Sequence, residues 1–275
     1  MSDEPLRWLR RMPYGYGPMP GPRQRIEGGR HDWSQSYRTV IGYRFLTNAR
    51  QLAKLLPPGF VTAGKPIVTV EWQMLRNLPW LAGRGYNTLG IRFPAQYNGT
   101  EGPVVGSFLS VLWENLGDPI ISGREELGFG KLYCEISDEP PEEPDRKLTG
   151  SWQGYTFVEL TLSDIEPAGD DLSFLSDGIK SEGLLHYKYI PATGRWGEPD
   201  VAHAVLSPIP QPPKPVSLLR ARSGTLRFNR GTFQQLPTLG HIIRQAADLE
   251  HLSFEGATIA RYEKNNDYYA QRRIP

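Results

Sequence analysis

Alternation of apolar and polar positions is the dominant pattern along this chain. From Tyr37 to Phe45, the residues Tyr37, Thr39, Ile41, Tyr43 and Phe45 repeat with a period of two, which predicts a strand. The same period predicts strands over Ile67 to Met74, Gly90 to Tyr97, Gly106 to Trp113 and Tyr155 to Leu162, with a short one at Ile120-Ile121. Later strands are expected at Leu184 to Ile190, Ala202 to Leu206, Leu218 to Phe228 and Ala257 to Tyr262. One segment, Thr47 to Leu56, reads as helix. Thr47 or Asn48 caps it, Ala49, Leu52, Leu55 and Leu56 form its stripe, and Pro57-Pro58-Gly59 stops it. Gly240 to Leu252 fits two readings, since Ile242, Ile243, Ala246, Ala247 and Leu249 also have helical spacing. Strands do not alternate with helices, so a mainly β protein (α+β, largely antiparallel) is expected rather than a Rossmann or TIM-barrel architecture.

Glycine and proline set the boundaries. Residues 1–32 carry Pro13, Gly15, Gly17, Pro18, Pro20, Gly21, Pro22, Gly28 and Gly29, which predicts an extended arm with Trp8, Tyr14 and Tyr16 as its apolar anchors. Residues 33–275 show no further break in composition and read as a single domain. Ser137 to Lys147 is rich in acids and prolines and reads as a solvated loop, and Ile209 to Pro215 as a stiff connector.

Composition narrows the class. At 275 residues, 39% hydrophobic and 22% charged, the chain is globular. A formal net charge of +1 gives no overall drive toward nucleic acid or an anionic membrane, and neither is expected as a partner. No stretch approaches the roughly 20 apolar residues of a membrane helix, and the N-terminus lacks an apolar signal core. The single cysteine, Cys134, excludes an intrachain disulfide and suits a reducing compartment. A cytoplasmic protein is expected. Neither a glycine-rich nucleotide fingerprint nor a metal-binding H-E-x-x-H or C-x-x-C is present, and the five histidines lack ligand spacing. Neither a metal nor another cofactor is called for.

Candidate chemistry centres on Lys131. It follows Gly128-Phe129-Gly130 and precedes the apolar run Leu132, Tyr133, Cys134. An amine held in apolar surroundings loses hydration, which disfavours its charged form. A neutral amine can attack a ketone carbon and form a Schiff base.

Gly123-Arg124-Glu125, followed by Lys131, resembles the active-site segment of the acetoacetate decarboxylase-like superfamily. Other segments resemble that family in the same order. Asn48 to Phe60 is similar to its short helix ending in prolines, Val70-Glu71 to its acid-bearing strand, and Tyr97-Asn98-Gly99 to the turn after it. Tyr189-Ile190-Pro191 is similar to a later strand end and Ile242 to Tyr262 to the closing strands, which favours strand over helix for Gly240 to Leu252. The resemblance implies a closed, cone-shaped antiparallel β-barrel with a few peripheral helices, Lys131 inside it as the Schiff-base lysine, and Glu71 as a catalytic acid or base. Arg38, or else Arg30, would orient a substrate carboxylate. Tyr86, Thr88 and Trp113 read as pocket lining, with core, where aromatic and β-branched strand residues more often lie, as the alternative. With the long arm, it also implies a homo-oligomer whose partner molecule is a small oxo acid.

Departures from the family pattern bear on the reaction. True decarboxylases carry a second lysine after the first, where this chain has Leu132, and their second glutamate falls on Thr88. Gly130 replaces the usual proline and loosens the turn before Lys131. Arg124 and Glu125 are expected to pair and hold that turn. The leading expectation is a Schiff-base-forming lyase of the aldol, dehydration or hydration type acting on an oxo acid through Lys131. Authentic β-keto acid decarboxylation and a non-catalytic ligand-binding barrel are the alternatives.

Overall fold

The computed structural model describes residues 9–169, 172–209, 214–265 and 268–275. Strand β1 (Tyr37–Leu46) is followed by helix α1 (Ala49–Ala53), then β2 (Phe60–Thr62), β3 (Ile67–Arg76), β4 (Tyr86–Gly99) and β5 (Gly102–Glu114). Helix α2 (Gly117–Ser122) and one π-helical turn (Gly123–Leu127) lead to β6 (Lys131–Tyr133) and β7 (Glu135–Ile136). Next come β8 (Arg146–Trp152), β9 (Tyr155–Pro167), β10 (Gly183–Pro191), β11 (Pro199–Pro208) and β12 (Ser217–Phe228). Helix α3 (Gly240–Ala247) precedes β13 (Ser253–Glu263) and β14 (Arg272–Arg273). No helix among the described residues is long and apolar enough to cross a membrane.

All these strands join one sheet in the order β14-β11-β10-β5-β4-β3-β1-β13-β12-β9-β8-β7, with β2 added on β4 and β6 on β5. Every pairing is antiparallel except β5 with β10 and β5 with β6, which are parallel. Strand β5 thus gives one edge to β4 and shares the other between β10, near Phe108, and β6, near Trp113. No ladder among the described residues joins β14 to β7, so the expected closed barrel is corrected to a sheet path with two ends. Both end strands are only two residues long, and such short edges offer little backbone for further pairing.

The sheet still folds back on itself around an apolar core. Ile41, Tyr43 and Phe45 of β1, Val68, Val70, Trp72 and Met74 of β3, and Leu89, Ile91 and Phe93 of β4 are all buried. They face Leu148 of β8 and Phe157 of β9 within the same cluster. Trp113 meets Phe157 with ring centroids 5.5 Å apart, and the Trp72 indole donates to the Thr149 carbonyl at 3.5 Å. Each such side chain removed from water contributes about 1.5–3 kcal/mol.

Local chemistry explains where elements differ from expectation. Helix α1 is shorter than predicted: Asn48 Oδ1 caps it by accepting from the Arg50 N–H at 2.9 Å, and the approach to Pro57-Pro58 leaves only turns beyond Ala53. Ile120-Ile121 is helical rather than extended, because Asp118 and Pro119 suit a first helical turn. Gly240–Ala247 is also helical, correcting the strand expected from resemblance; Ile243 and Ala246 bury the stripe that their spacing announced.

The arm is ordered by polar contacts rather than by its aromatics. Tyr14 and Tyr16 are 67% and 86% exposed, so they are not anchors, and Trp8 lies outside the described residues. Instead Gln24 Oε1 accepts from the Leu9 N–H at 2.8 Å, and Arg11 and Arg23 both pair with Glu126 in the π-helical turn.

Candidate active site

The register of three strands builds the site. In the β3–β4–β5 ladders Glu71 lies beside Gly90 and Gly90 beside Leu112, while Gln73 lies beside Thr88 and Thr88 beside Glu114. Leu112 in turn pairs with Lys131 of β6. Paired residues point to the same side of a sheet, and the side alternates along each strand. Glu71, Gln73, Thr88, Glu114 and Lys131 therefore share the face opposite the apolar core. That face is polar.

Lys131 is 6% exposed and Glu114 1% exposed. Lys131 Nζ lies 2.8 Å from Glu114 Oε1, donates to the Pro119 carbonyl at 3.0 Å, and sits 5.6 Å from the centre of the Phe129 ring. Glu114 Oε2 is buried with no hydrogen-bond partner among the described residues. Burial raises the pKa of the Glu114 carboxyl above its ordinary value, although the nearby Lys131 acts to lower it. The amine is thus dehydrated but not isolated.

The turn that presents the lysine is held from three sides. Gly123 lies under the side chain: a Cβ there would come 2.4 Å from Lys131 Cε. Arg124 Nη1 donates to the Lys131 carbonyl at 2.8 Å, so this guanidinium steadies the turn through the backbone. That is where its hold lies, in place of the expected pairing with Glu125. Lys188 Nζ donates to the Glu125 and Glu126 carbonyls at 2.5 and 3.4 Å, satisfying groups that a helix end leaves open.

His186 supplies the third support. Its ring stacks on Phe129 with centroids 4.2 Å apart, and Nδ1 lies 3.0 Å from the Gly128 carbonyl. A carbonyl only accepts, so Nδ1 carries the proton and Nε2 faces Ser207 Oγ and the Gln271 amide as an acceptor. Burial pulls the His186 pKa down to about 4, which keeps the ring neutral.

A second charged cluster stands on the same face. Glu71 Oε2 pairs with Arg92 Nη2 at 3.1 Å, Gln73 Nε2 donates to Glu71 Oε1 at 2.7 Å, and Arg92 Nη1 donates to Ser107 Oγ at 3.1 Å. Tyrosines lie among these charges. Burial raises the Tyr86 pKa well above normal, with Glu114 adding to the effect. Burial also raises the Tyr268 pKa, Arg38 opposes this, and Glu71 and Glu114 reinforce it. Tyr268 further meets Phe129 edge-on at 5.6 Å.

Residues singled out from sequence therefore divide. Lys131, Glu71, Thr88 and Tyr86 are brought to one face, with Thr88 buried directly beside Glu114. Arg38 joins that face, lying beside Leu75 in the ladder. It donates to the Lys264 carbonyl and to Asn265 Oδ1, at 3.0 and 3.1 Å, and lies over the Tyr262 ring. Arg30 lies over Tyr269 instead, on the arm. Trp113 is corrected: it is fully buried, one residue from Glu114, and so points to the opposite face, where it packs in the core. Glu114, Arg92, His186 and Tyr268 were missed. Glu114 had one signal, an acid at the end of an apolar strand on the parity opposite Trp113; the others had none.

Two cavities of about 270 and 120 Å³ lie against the turn that follows α1, sharing Leu55 and Ser110, and Lys131 lines neither. The larger touches the lysine turn at Gly130, beside Leu109 and Tyr187.

A family model described as acetoacetate decarboxylase matches residues 15–237. No curated protein matches the chain in sequence. Among solved structures, the enduracididine biosynthesis enzyme MppR complexed with pyruvate is similar with a TM-score of 0.64 at 15% identity, covering 88% of this chain and 90% of that one. MppR complexed with the condensation product of pyruvate and imidazole 4-carboxaldehyde gives the same values, 0.64, 15%, 88% and 90%. Acetoacetate decarboxylase from Legionella pneumophila has a TM-score of 0.62 at 17% identity, with 90% and 91% of the two chains covered. An acetoacetate decarboxylase-like enzyme from Sphingomonas wittichii RW1 has 0.61 at 16%, with 89% and 94% covered. At these identities the structural likeness speaks for the fold alone.

Proposed function

The chain belongs to the acetoacetate decarboxylase family, and we propose that it is a Schiff-base-forming lyase acting on an oxo acid through Lys131. The observation that carries this reading is a single buried amine, 2.8 Å from a carboxylate, on a turn fixed by Arg124, Lys188 and His186. Positioning of that kind is what covalent catalysis by lysine needs. The amine attacks the ketone carbon of the substrate, and loss of water leaves a protonated imine. That imine accepts the electron pair released when a bond to the alpha carbon breaks.

The bond broken is of the aldol, dehydration or hydration kind. Leu132 in place of a second lysine supports this, since β6 turns it away from Lys131, toward Trp113. MppR, solved with pyruvate and with its condensation product, supports pyruvate-like acids as the class to test. Arg38 orients the substrate carboxylate, and Glu71 works within its pair to Arg92 as the acid or base on the alpha carbon. The family itself favours a second reading, decarboxylation of a β-keto acid.

Borohydride added with pyruvate, acetoacetate and larger oxo acids is expected to fix a covalent adduct on Lys131, located by mass spectrometry. Carbon dioxide release from acetoacetate, lost in Lys131→Ala, would move the second reading ahead. Ligand binding without any adduct would leave a non-catalytic binding protein and end the lyase assignment.

A further inference from the structure

We infer that Glu114 is the acid–base catalyst of imine formation at Lys131, Oε1 exchanging protons with the amine and Oε2 with the substrate's carbonyl oxygen. This rests on the reading of Lys131 just given. Three observations carry it. Glu114 Oε1 is the carboxylate oxygen paired with Lys131 Nζ, at 2.8 Å, whereas Glu71 is already taken by Arg92 and Gln73. Glu114 Oε2 is the one buried side-chain oxygen without a partner among the described residues; the other such atoms are nitrogens. A buried polar group left open in this way calls for an explanation, and an awaited ligand supplies one. Finally, the two groups that face Glu114 besides Lys131, Tyr86 of β4 and Tyr268 of the C-terminal segment, are phenols rather than competing cations. Burial also raises the Glu114 pKa above its ordinary value, against the opposing effect of Lys131.

The step balances without any further reactant. The ammonium of Lys131 gives one proton to the Glu114 carboxylate, leaving a neutral amine beside a carboxylic acid. The nitrogen lone pair attacks the ketone carbon, a C–N bond forms, and the carbonyl π pair moves to oxygen. Glu114 protonates that oxygen and takes back a proton from nitrogen, giving a neutral carbinolamine. A second protonation by Glu114 turns the hydroxyl into water, the C–O bond breaks, and nitrogen forms the C=N bond. The products are a protonated imine, water and the Glu114 carboxylate.

The test compares wild type with Glu114→Gln and Glu114→Ala, using pyruvate and acetoacetate as probes and following the borohydride-fixed adduct on Lys131 from pH 5 to 9. General acid–base catalysis contributes about 10²–10⁴-fold, so Glu114→Gln is expected to form the same adduct about a hundredfold more slowly or worse, with a changed pH profile. Sodium formate is expected to restore at least part of the rate in Glu114→Ala. A structural counter-ion gives the opposite result: relieved of its carboxylate, the amine would react at neutral pH at least as fast as wild type, without a formate effect. That result overturns the inference and leaves the lyase reading standing. Absence of an adduct in wild type itself overturns both. If Glu114→Gln does not fold, Glu114→Asp decides. Its carboxylate is drawn back by one methylene, so at least a tenfold slowing is expected, and an unchanged rate overturns the role.

Discussion

On one face of β3, β4 and β5, Val70, Trp72, Leu89, Ile91 and Trp113 are sealed in the core; one residue along each strand, Glu71 pairs with Arg92 and Glu114 with Lys131, and Gln73 and Thr88 share their face. The two faces are held together under different rules. Apolar contact is non-directional, so the core side tolerates many arrangements of about the same volume. Buried charges survive only with partners at hydrogen-bonding distance, which ties each charged residue of the polar face to particular neighbours. Arg44 shows this as well, bonded to Asp177 and to the Leu175 carbonyl. Among the described residues the polar face leaves one oxygen, Glu114 Oε2, outside that accounting, and it lies beside the lysine. On the proposed reading, stability belongs to the first face and chemistry to the second.

Separating the two faces experimentally gives a graded series. Lys131→Met is expected to abolish both turnover and the borohydride-fixed adduct while keeping the native circular dichroism spectrum; residual turnover at the wild-type rate would remove the lysine from the mechanism. Trp113→Ala, one face over, is expected to cost about 3–5 kcal/mol by cavity formation, seen as a lower urea midpoint. A wild-type midpoint would mean that the tryptophan is not core.

His186 tests how far the polar side couples to stability. Its folded-state pKa of about 4 lies below its ordinary value, near 6.5. The unfolded chain therefore takes up the proton first, and the stability present above about pH 6.5 is lost as pH falls toward 4. At about 1.36 kcal/mol per unit the span is about 3 kcal/mol. Chemical denaturation at several pH values is expected to show a flatter curve for His186→Gln than for wild type; parallel curves would contradict the burial of this imidazole. Gly123→Ala is the finest probe. Its Cβ would fall 2.4 Å from Lys131 Cε, so the lysine must move while the fold need not. A drop in turnover of about a hundredfold is expected, with a thermal midpoint close to wild type. Equal loss of both would show that the glycine serves the backbone instead.

How much of this was legible depends on the range of the interaction. The long strands β1 and β9 follow directly from their period of two, and α1 from a cap and a proline stop, because those signals are local. At Gly240–Ala247 the local spacing was the better guide and the resemblance misled. Lys131 was readable from its glycines and the motif before it. Trp113 stayed open between pocket and core although the alternation that carries it to the core was visible, because nothing in a single strand says which side is which.

The sequence by itself determined a mainly β chain with an ordered lysine turn and alternating faces, since propensity, parity and turn chemistry act over a few residues. Tertiary structure alone decided that β6 joins β5 in the register that sets Glu114 against Lys131, that Arg92 takes Glu71, and that Tyr268 returns from the chain's end to the same face. Those choices depend on which distant strands pair and how far each slides, and a shift of one residue would exchange the two faces.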